Sequence, residues 1–318
     1  MSSRKLSSLD GTILSTVPFR FKGVSGCDAM VAMPISYNFA KEGLDFVEKC
    51  LGIQAFDLFG IPSISKRIEN RSETAIGTLK LAIEKHNAKE IVLMEHVDFH
   101  DSGKSSRFRN KIEEDYFHKK GLVDCKLNIL ESFPHVTVRL IYARLNGLRI
   151  AEYEPGTRIL FSEIFENAEE IFMANMPYRF KDEIYCDGAI VACLDFRFRR
   201  ETRSCARESL NIPVFDLIGL PGSSKRLLEN SETGWKGIDV AYTKHGCKKI
   251  VLFHHSDCAA YGGLKKFDGD HIAEESMHRG ELRKLKKRIT DKYPDVEVLM
   301  VYARVLGDYE QIQFVLFS

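Results

Sequence analysis

The chain repeats itself. Pro18-Phe19-Arg20-Phe21-Lys22 returns as Pro177-Tyr178-Arg179-Phe180-Lys181, an offset of 159 residues. Cys27-Asp28 returns as Cys186-Asp187, Phe56-Asp57-Leu58 as Phe215-Asp216-Leu217, and Ser72-Glu73-Thr74 as Ser231-Glu232-Thr233. Lys85-His86 matches Lys244-His245, and Ile91-Val92-Leu93 matches Ile250-Val251-Leu252. One residue of slippage follows, because Tyr142-Ala143-Arg144 returns as Tyr302-Ala303-Arg304. Chance does not hold a register that long, so two copies of one unit are fused. The join falls near Glu154-Pro155-Gly156, where proline and glycine punctuate the chain. This predicts one domain over 1–156 and a second over 157–318.

At 318 residues, each copy is large enough to bury its own core. Lys+Arg 46 against Asp+Glu 45 leaves a net charge of +1, which gives no global reason to expect nucleic acid or an acidic membrane as partner. Met1–Ser15 lacks the continuous apolar stretch of a signal peptide. No apolar run reaches the roughly 18 residues that span a bilayer. The eight cysteines are scattered through a long chain, a pattern that favours reduced core thiols or metal ligands over disulfides. A cytoplasmic protein is expected.

Within the second copy, short apolar runs alternate with helical patterns. Ala189–Cys193, Val214–Ile218, Ile250–Phe253 and Val296–Tyr302 read as strands. A polar stretch runs from the first of these through Glu208. Ser231 reads as the N-cap of a helix to about Lys244, and a second helix covers roughly Glu274 to Thr290. Continuous Val/Ile/Leu runs separated by helices indicate an α/β fold whose mainly parallel sheet is covered on both faces.

In such sheets ligands bind where strands end, at the carboxyl edge. The first strand ends Cys193-Leu194-Asp195-Phe196-Arg197. If the extended chain continues, its period of two puts Cys193, Asp195 and Arg197 on one face. The third strand ends His255-Ser256-Asp257-Cys258, whose two-residue gap lets both side chains reach one point. Two thiolates and an imidazole suit Zn²⁺, with a fourth position left open.

Cys-x-Asp-x-Arg followed by His-x-x-Cys resembles the zinc motif of the β-class carbonic anhydrases. The resemblance spans about one repeat, from Tyr178 to the C-terminus, and in weaker form the other. It implies Cys193, His255 and Cys258 as zinc ligands, and Asp195 and Arg197 as a catalytic dyad. Asp195 would accept a hydrogen bond from zinc-bound hydroxide or itself be the fourth ligand; Arg197 would hold it in place. The activity implied is reversible hydration of CO₂ to bicarbonate. COS or CS₂ would suit the same chemistry, and a non-catalytic zinc-stabilised scaffold is the rival reading. Because that family builds its unit from two protomers, the resemblance also implies an intramolecular pseudo-dimer, with further homo-oligomers open. Phe196, Ala259 and the loop Gly219-Leu220-Pro221-Gly222 depart from the family pattern and bear on pocket shape.

Carried to the first copy, Cys193 becomes Pro34, Asp195 becomes Ser36, Arg197 becomes Asn38 and Cys258 becomes Phe99. Only His255 keeps its type, as His96. Proline cannot ligate a metal, so the first copy is expected to lack a metal site. Cys27, Cys50, Cys125, Cys186, Cys205 and Cys247 read as core thiols, and His254 as a packing or supporting residue. Tyr261 either lines the pocket or covers it. Arg197, Arg199, Arg200, Arg203 and Arg207 form a basic stretch without the interleaved aromatics of an RNA motif. Arg283, Lys284, Lys286, Lys287 and Arg288 read as the solvated face of an amphipathic helix.

Overall fold

The computed structural model describes residues 11–21, 24–62, 64–96, 108, 111–144, 149–154, 169–175, 186–307 and 309–318. Its strands are β1 (Thr12–Pro18), β2 (Ala29–Met33), β3 (Phe56–Gly60), β4 (Glu90–His96), β5 (Thr137–Arg144), β6 (Arg149–Glu154), β7 (Glu169–Asn175), β8 (Gly188–Cys193), β9 (Phe215–Leu220), β10 (Lys249–His255), β11 (Glu297–Leu306) and β12 (Gln311–Phe317). Helices α1 (Tyr37–Lys49), α2 (Ile64–Glu69), α3 (Glu73–Glu84) and α4 (Lys111–Ser132) flank the first group of strands. Helices α5 (Phe196–Ser204), α6 (Ser224–Leu228), α7 (Glu232–Thr243) and α8 (His271–Lys292) flank the second, and α5 runs on as a wider turn over Cys205–Ser209.

Two six-stranded sheets result, ordered β3-β2-β4-β5-β6-β7 and β9-β8-β10-β11-β12-β1. The four strands at the front of each are parallel, and the last two run antiparallel. Every residue of β2, β3 and β9 is buried, as parallel strands covered by helices on both faces require. The expected α/β class, with a parallel-rich sheet between helices, is what the chain adopts. At one edge β1, from the start of the chain, pairs with β12 at its end, and at the edge of the other sheet β7 pairs with β6.

The helix starts follow the sequence. Ser231 caps α7 by accepting the Gly234 N–H at 3.2 Å, and Ser72 caps α3 by accepting the Ala75 N–H at 3.2 Å. Two expectations need correction. The extended chain, on which a shared face for Cys193, Asp195 and Arg197 was conditional, does not continue past Asp195; the polar stretch begins as α5, because the Asp195 side chain accepts the Arg197 N–H and starts a helix there. The fourth strand continues past Tyr302 to Leu306 and returns through Gly307, at φ 53°, as β12. The expected join at Pro155 and Gly156 lies outside the described residues.

The sheets meet through β3 and β9. Leu58 donates its N–H to the Leu194 carbonyl at 3.0 Å, and Leu217, at the equivalent position, donates to the Ile35 carbonyl at 3.1 Å. Gly60 and Gly219 allow this approach: a Cβ on either would lie 2.3 Å from the carbonyl oxygen of Leu217 or Leu58, respectively. Both apolar layers draw on both repeats. One holds Leu79 and Ile91 with Ile218 and Leu252; the other holds Phe39 and Phe56 with Phe198 and Leu217.

Candidate metal centre

Cys193 closes β8, His255 closes β10, and Cys258 stands just before a short helical turn over Ala259–Tyr261. Their ligand atoms lie within 4.8 Å of one another, and the two sulfurs are 3.9 Å apart. A tetrahedral zinc with Zn–S bonds of about 2.3 Å separates two thiolates by roughly 3.8 Å, so the spacing suits that ion. His255 donates Nδ1–H to the Ser256 carbonyl at 2.8 Å, which leaves Nε2 as the lone-pair nitrogen. That Nε2 is buried and has no hydrogen-bond partner among the described residues. A buried nitrogen without a partner costs stability, and a metal in the three-residue cradle would satisfy it.

The ring of His255 is fixed by Phe198, stacked on it at 4.2 Å between centroids. The Gly222 N–H points at the Cys193 sulfur at 3.4 Å. This explains the glycine-rich loop after β9: Gly222 has φ +68°, and a Cβ there would sit 2.8 Å from that of Ala260. Sulfur–hydrogen donation from Cys258, with the nearby His255, draws the Cys193 thiol well below its usual range, while the same shared proton and burial hold Cys258 up.

Asp195 is buried beside this cradle, its Oδ2 3.9 Å from His255 Nε2. Arg197 grips both carboxylate oxygens, Nε to Oδ1 at 3.0 Å and Nη2 to Oδ2 at 2.7 Å. Burial works against ionisation of Asp195, but the Arg197 guanidinium outweighs it and holds the carboxyl well below the ordinary carboxylate range. A shared extended face for these two residues required the strand to continue past Asp195, and it does not. They meet instead because Asp195 is the N-cap of α5 and Arg197 lies in its first turn.

Sequence reasoning missed what holds the arginine. Asp257 takes Arg197 Nη1 on its Oδ2 at 3.1 Å and Nη2 on its carbonyl at 3.0 Å. Its φ of 55° is a left-handed conformation that aspartate tolerates, and Glu274, fully buried, accepts its N–H at 2.8 Å. The signal was an aspartate in the gap between two ligands. His254 meets His278 at 2.9 Å between Nδ1 atoms, and burial presses His278 down to about 3, so both rings are neutral packing partners. Tyr261 covers this pair, its ring 4.7 Å from His278. Phe196 does not enter the cradle; it is buried at an edge-on contact with Phe21, 5.2 Å away.

In the first repeat, His96 is buried beside Phe39, Pro34 and Ser36 occupy the ligand-side positions, and Phe99 and the Asn38 side chain lie outside the described residues. Among the described residues the groups of Cys, His, Asp and Glu close enough to share a metal are Cys193/His255/Cys258 and Cys186/Asp216/Cys247. The second group corrects the reading of lone thiols, because Cys186 and Cys247 form a disulfide tying the starts of β8 and β10. Cys50 is exposed rather than a core thiol, whereas Cys27, Cys125 and Cys205 are buried as expected.

Residues 185–313 match the family model described as putative carbonic anhydrase. An uncharacterized protein of Rickettsia bellii is 29% identical over 137 residues, covering 39% of this chain and 79% of its own length. Another from Rickettsia conorii is 28% identical over 130 residues, covering 39% and 70%. Among solved structures, a carbonic anhydrase from Glaciozyma antarctica aligns over 42% of this chain and 85% of its own, at 14% identity and a TM-score of 0.27. Residues 185–313, which contain all five residues of the cradle and dyad, are therefore similar to the carbonic anhydrase family over that part of the chain.

Proposed function

We propose that this protein is a zinc-dependent carbonic anhydrase with one working site, in residues 157–318, and a first repeat, 1–156, that has lost its own. The single observation that carries this is the convergence of two cysteine sulfurs and an unpartnered, buried His255 Nε2 beside an arginine-clamped aspartate. Cys193 and Cys258 would hold zinc as thiolates and His255 through Nε2. When bound, zinc supplies a water acidic enough to act as a nucleophile near neutral pH.

The chain's own part is orientation. Asp195 is kept ionised by Arg197, so its Oδ2 is a fixed acceptor on the Nε2 side of His255. With both carboxylate oxygens gripped, Asp195 cannot swing freely, and Asp257 in turn keeps Arg197 from following it. Cys193 is the ligand residue with some exposure, which leaves that side of the cradle open to a small substrate. CO₂, a small linear electrophile, suits such an opening.

The two repeats are read as an intramolecular pseudo-dimer, supported by the paired Leu58–Leu194 and Leu217–Ile35 bonds and by the strands each repeat lends the other. Stopped-flow CO₂ hydration on zinc-loaded protein, run beside Cys258→Ser, tests the proposal. Activity well above background that vanishes in the variant supports it; a protein that holds one zinc but does not hydrate CO₂ refutes the carbonic anhydrase reading and favours the scaffold or another heterocumulene substrate.

A further inference from the structure

We infer that Asp57 of the first repeat, backed by His86, is a positioning residue for the Asp195–Arg197 dyad of the second. The inference rests on reading Cys193, His255 and Cys258 as the metal site. Between Cys193 and Arg197 the chain turns from strand to helix in two residues, and the direction of Asp195 depends on that turn. Two bonds from the first repeat bracket it. Leu58 donates its N–H to the Leu194 carbonyl at 3.0 Å, and Asp57 Oδ1 accepts the Phe196 N–H at 3.1 Å. The residues immediately before and after Asp195 are thereby both tied to β3.

Asp57 is fully buried, and its Oδ2 meets His86 Nδ1 at 2.6 Å. The Phe196 N–H is one of the first-turn donors that a helix leaves without a partner inside itself. Asp57 satisfies it from 139 residues away in sequence. The Phe196 ring completes the clasp, edge-on to Phe21 at 5.2 Å and to His86 at 6.2 Å. A buried carboxylate is costly to keep, and burial pushes Asp57 up to about 6. The first repeat holds this carboxylate although Pro34 and Phe99 stand at its cysteine-ligand positions and Ser36 and Asn38 at its dyad positions.

The second repeat holds the same pair: Asp216 Oδ2 meets His245 Nδ1 at 2.6 Å. Leu217, next to Asp216, bonds to Ile35, in the segment where the dyad has been lost. The two pairs therefore present the same local structure, but only Asp57 is bonded to the segment that carries Asp195. That difference separates positioning from general support of the fold.

The test uses full-length protein carrying zinc, and the same protein carrying cobalt(II) as a spectroscopic stand-in. Asp57→Ala is compared with Asp57→Asn, which keeps an acceptor for Phe196, and with Asp216→Ala. Supporting residues around a metal site are worth about 10- to 100-fold in affinity or activity. Asp57→Ala is expected to weaken zinc by about that factor and to change the cobalt d–d envelope. Asp57→Asn and Asp216→Ala should stay within about threefold of wild type and keep its spectrum. Should Asp57→Ala not fold, His86→Gln against His245→Gln makes the same comparison, with only the former expected to alter the spectrum. An Asp57 or His86 variant whose affinity and cobalt spectrum match those of its second-repeat counterpart overturns the inference. Wild-type protein that binds no zinc, or Cys258→Ser that binds it as well as wild type, refutes instead the reading of the metal site on which the inference rests.

Discussion

Gly60 and Leu217 lie so close that a Cβ on the glycine would sit 2.3 Å from the leucine carbonyl oxygen, and Gly219 faces Leu58 in the same way. The contact is backbone against backbone, so no side-chain rotation relieves it. Two hydrogen bonds flank this contact, from Leu58 in β3 to the Leu194 carbonyl and from Leu217 in β9 to the Ile35 carbonyl.

Gly60→Ala should therefore destabilise the protein by about 1–3 kcal/mol, the usual range for forcing extra atoms into a packed interior. Gly219→Ala should behave alike. Denaturant midpoints check both, and an alanine variant as stable as wild type would contradict the close approach of the two strands.

Glu48 on α1 bridges Arg199 at 2.8 Å and Arg203 at 3.0 Å, two buried arginines on α5 of the other repeat. Burial alone would raise the Glu48 carboxyl, but the two arginines outweigh it and hold it below the ordinary range. A carboxyl depressed in the folded state adds stability above its unfolded pKa of about 4.3, and that contribution is lost as pH falls through the folded value. Glu48→Gln, which leaves two buried like charges together, should cost about 3 kcal/mol at pH 7. The gap from wild type should narrow in acid below about pH 4, measured by urea unfolding at each pH.

Residues 158–318 expressed alone would lack β1, leaving β12 as an open edge, and would lack Asp57 and Leu58 against α5. Apolar surface from both core layers would face water. The fragment should be insoluble or associate, as judged by size-exclusion chromatography and circular dichroism. A folded, active monomer of this fragment would sink the pseudo-dimer reading.

Cys258→Ser removes one of the two sulfurs set 3.9 Å apart. Zinc content per chain, measured by elemental analysis after dialysis, should fall from one to near zero. In wild type, stripping the metal with a chelator should lower the melting temperature, since His255 Nε2 would again lack a partner.

Much of the site was legible in the chain. The five residues Cys193, Asp195, Arg197, His255 and Cys258 stand at spacings that only their shared chemistry makes sense of, and the structure brings them to one point. What supports them was not legible. Asp257 clamps Arg197 and Gly222 faces the Cys193 sulfur through bonds between segments 60 and 29 residues apart, which no local pattern encodes. The helix that begins at Phe196 is not legible from periodicity, because its apolar positions are few and its start depends on Asp195 serving as both cap and partner of Arg197.

The sequence by itself determined the α/β class, the recurring motifs at an offset of 159 residues, and that the positions matching Cys193 and Cys258 hold Pro34 and Phe99, because apolar periodicity, register and residue chemistry are all local quantities. Only the tertiary structure decided that β1 pairs with β12 at the far end of the chain and that Asp57 accepts the Phe196 N–H beside Asp195. The β1–β12 and Asp57–Phe196 pairings each run across more than a hundred residues. Their energy comes from buried backbone groups that must find a partner, and which partner they find is settled only when the whole chain has folded.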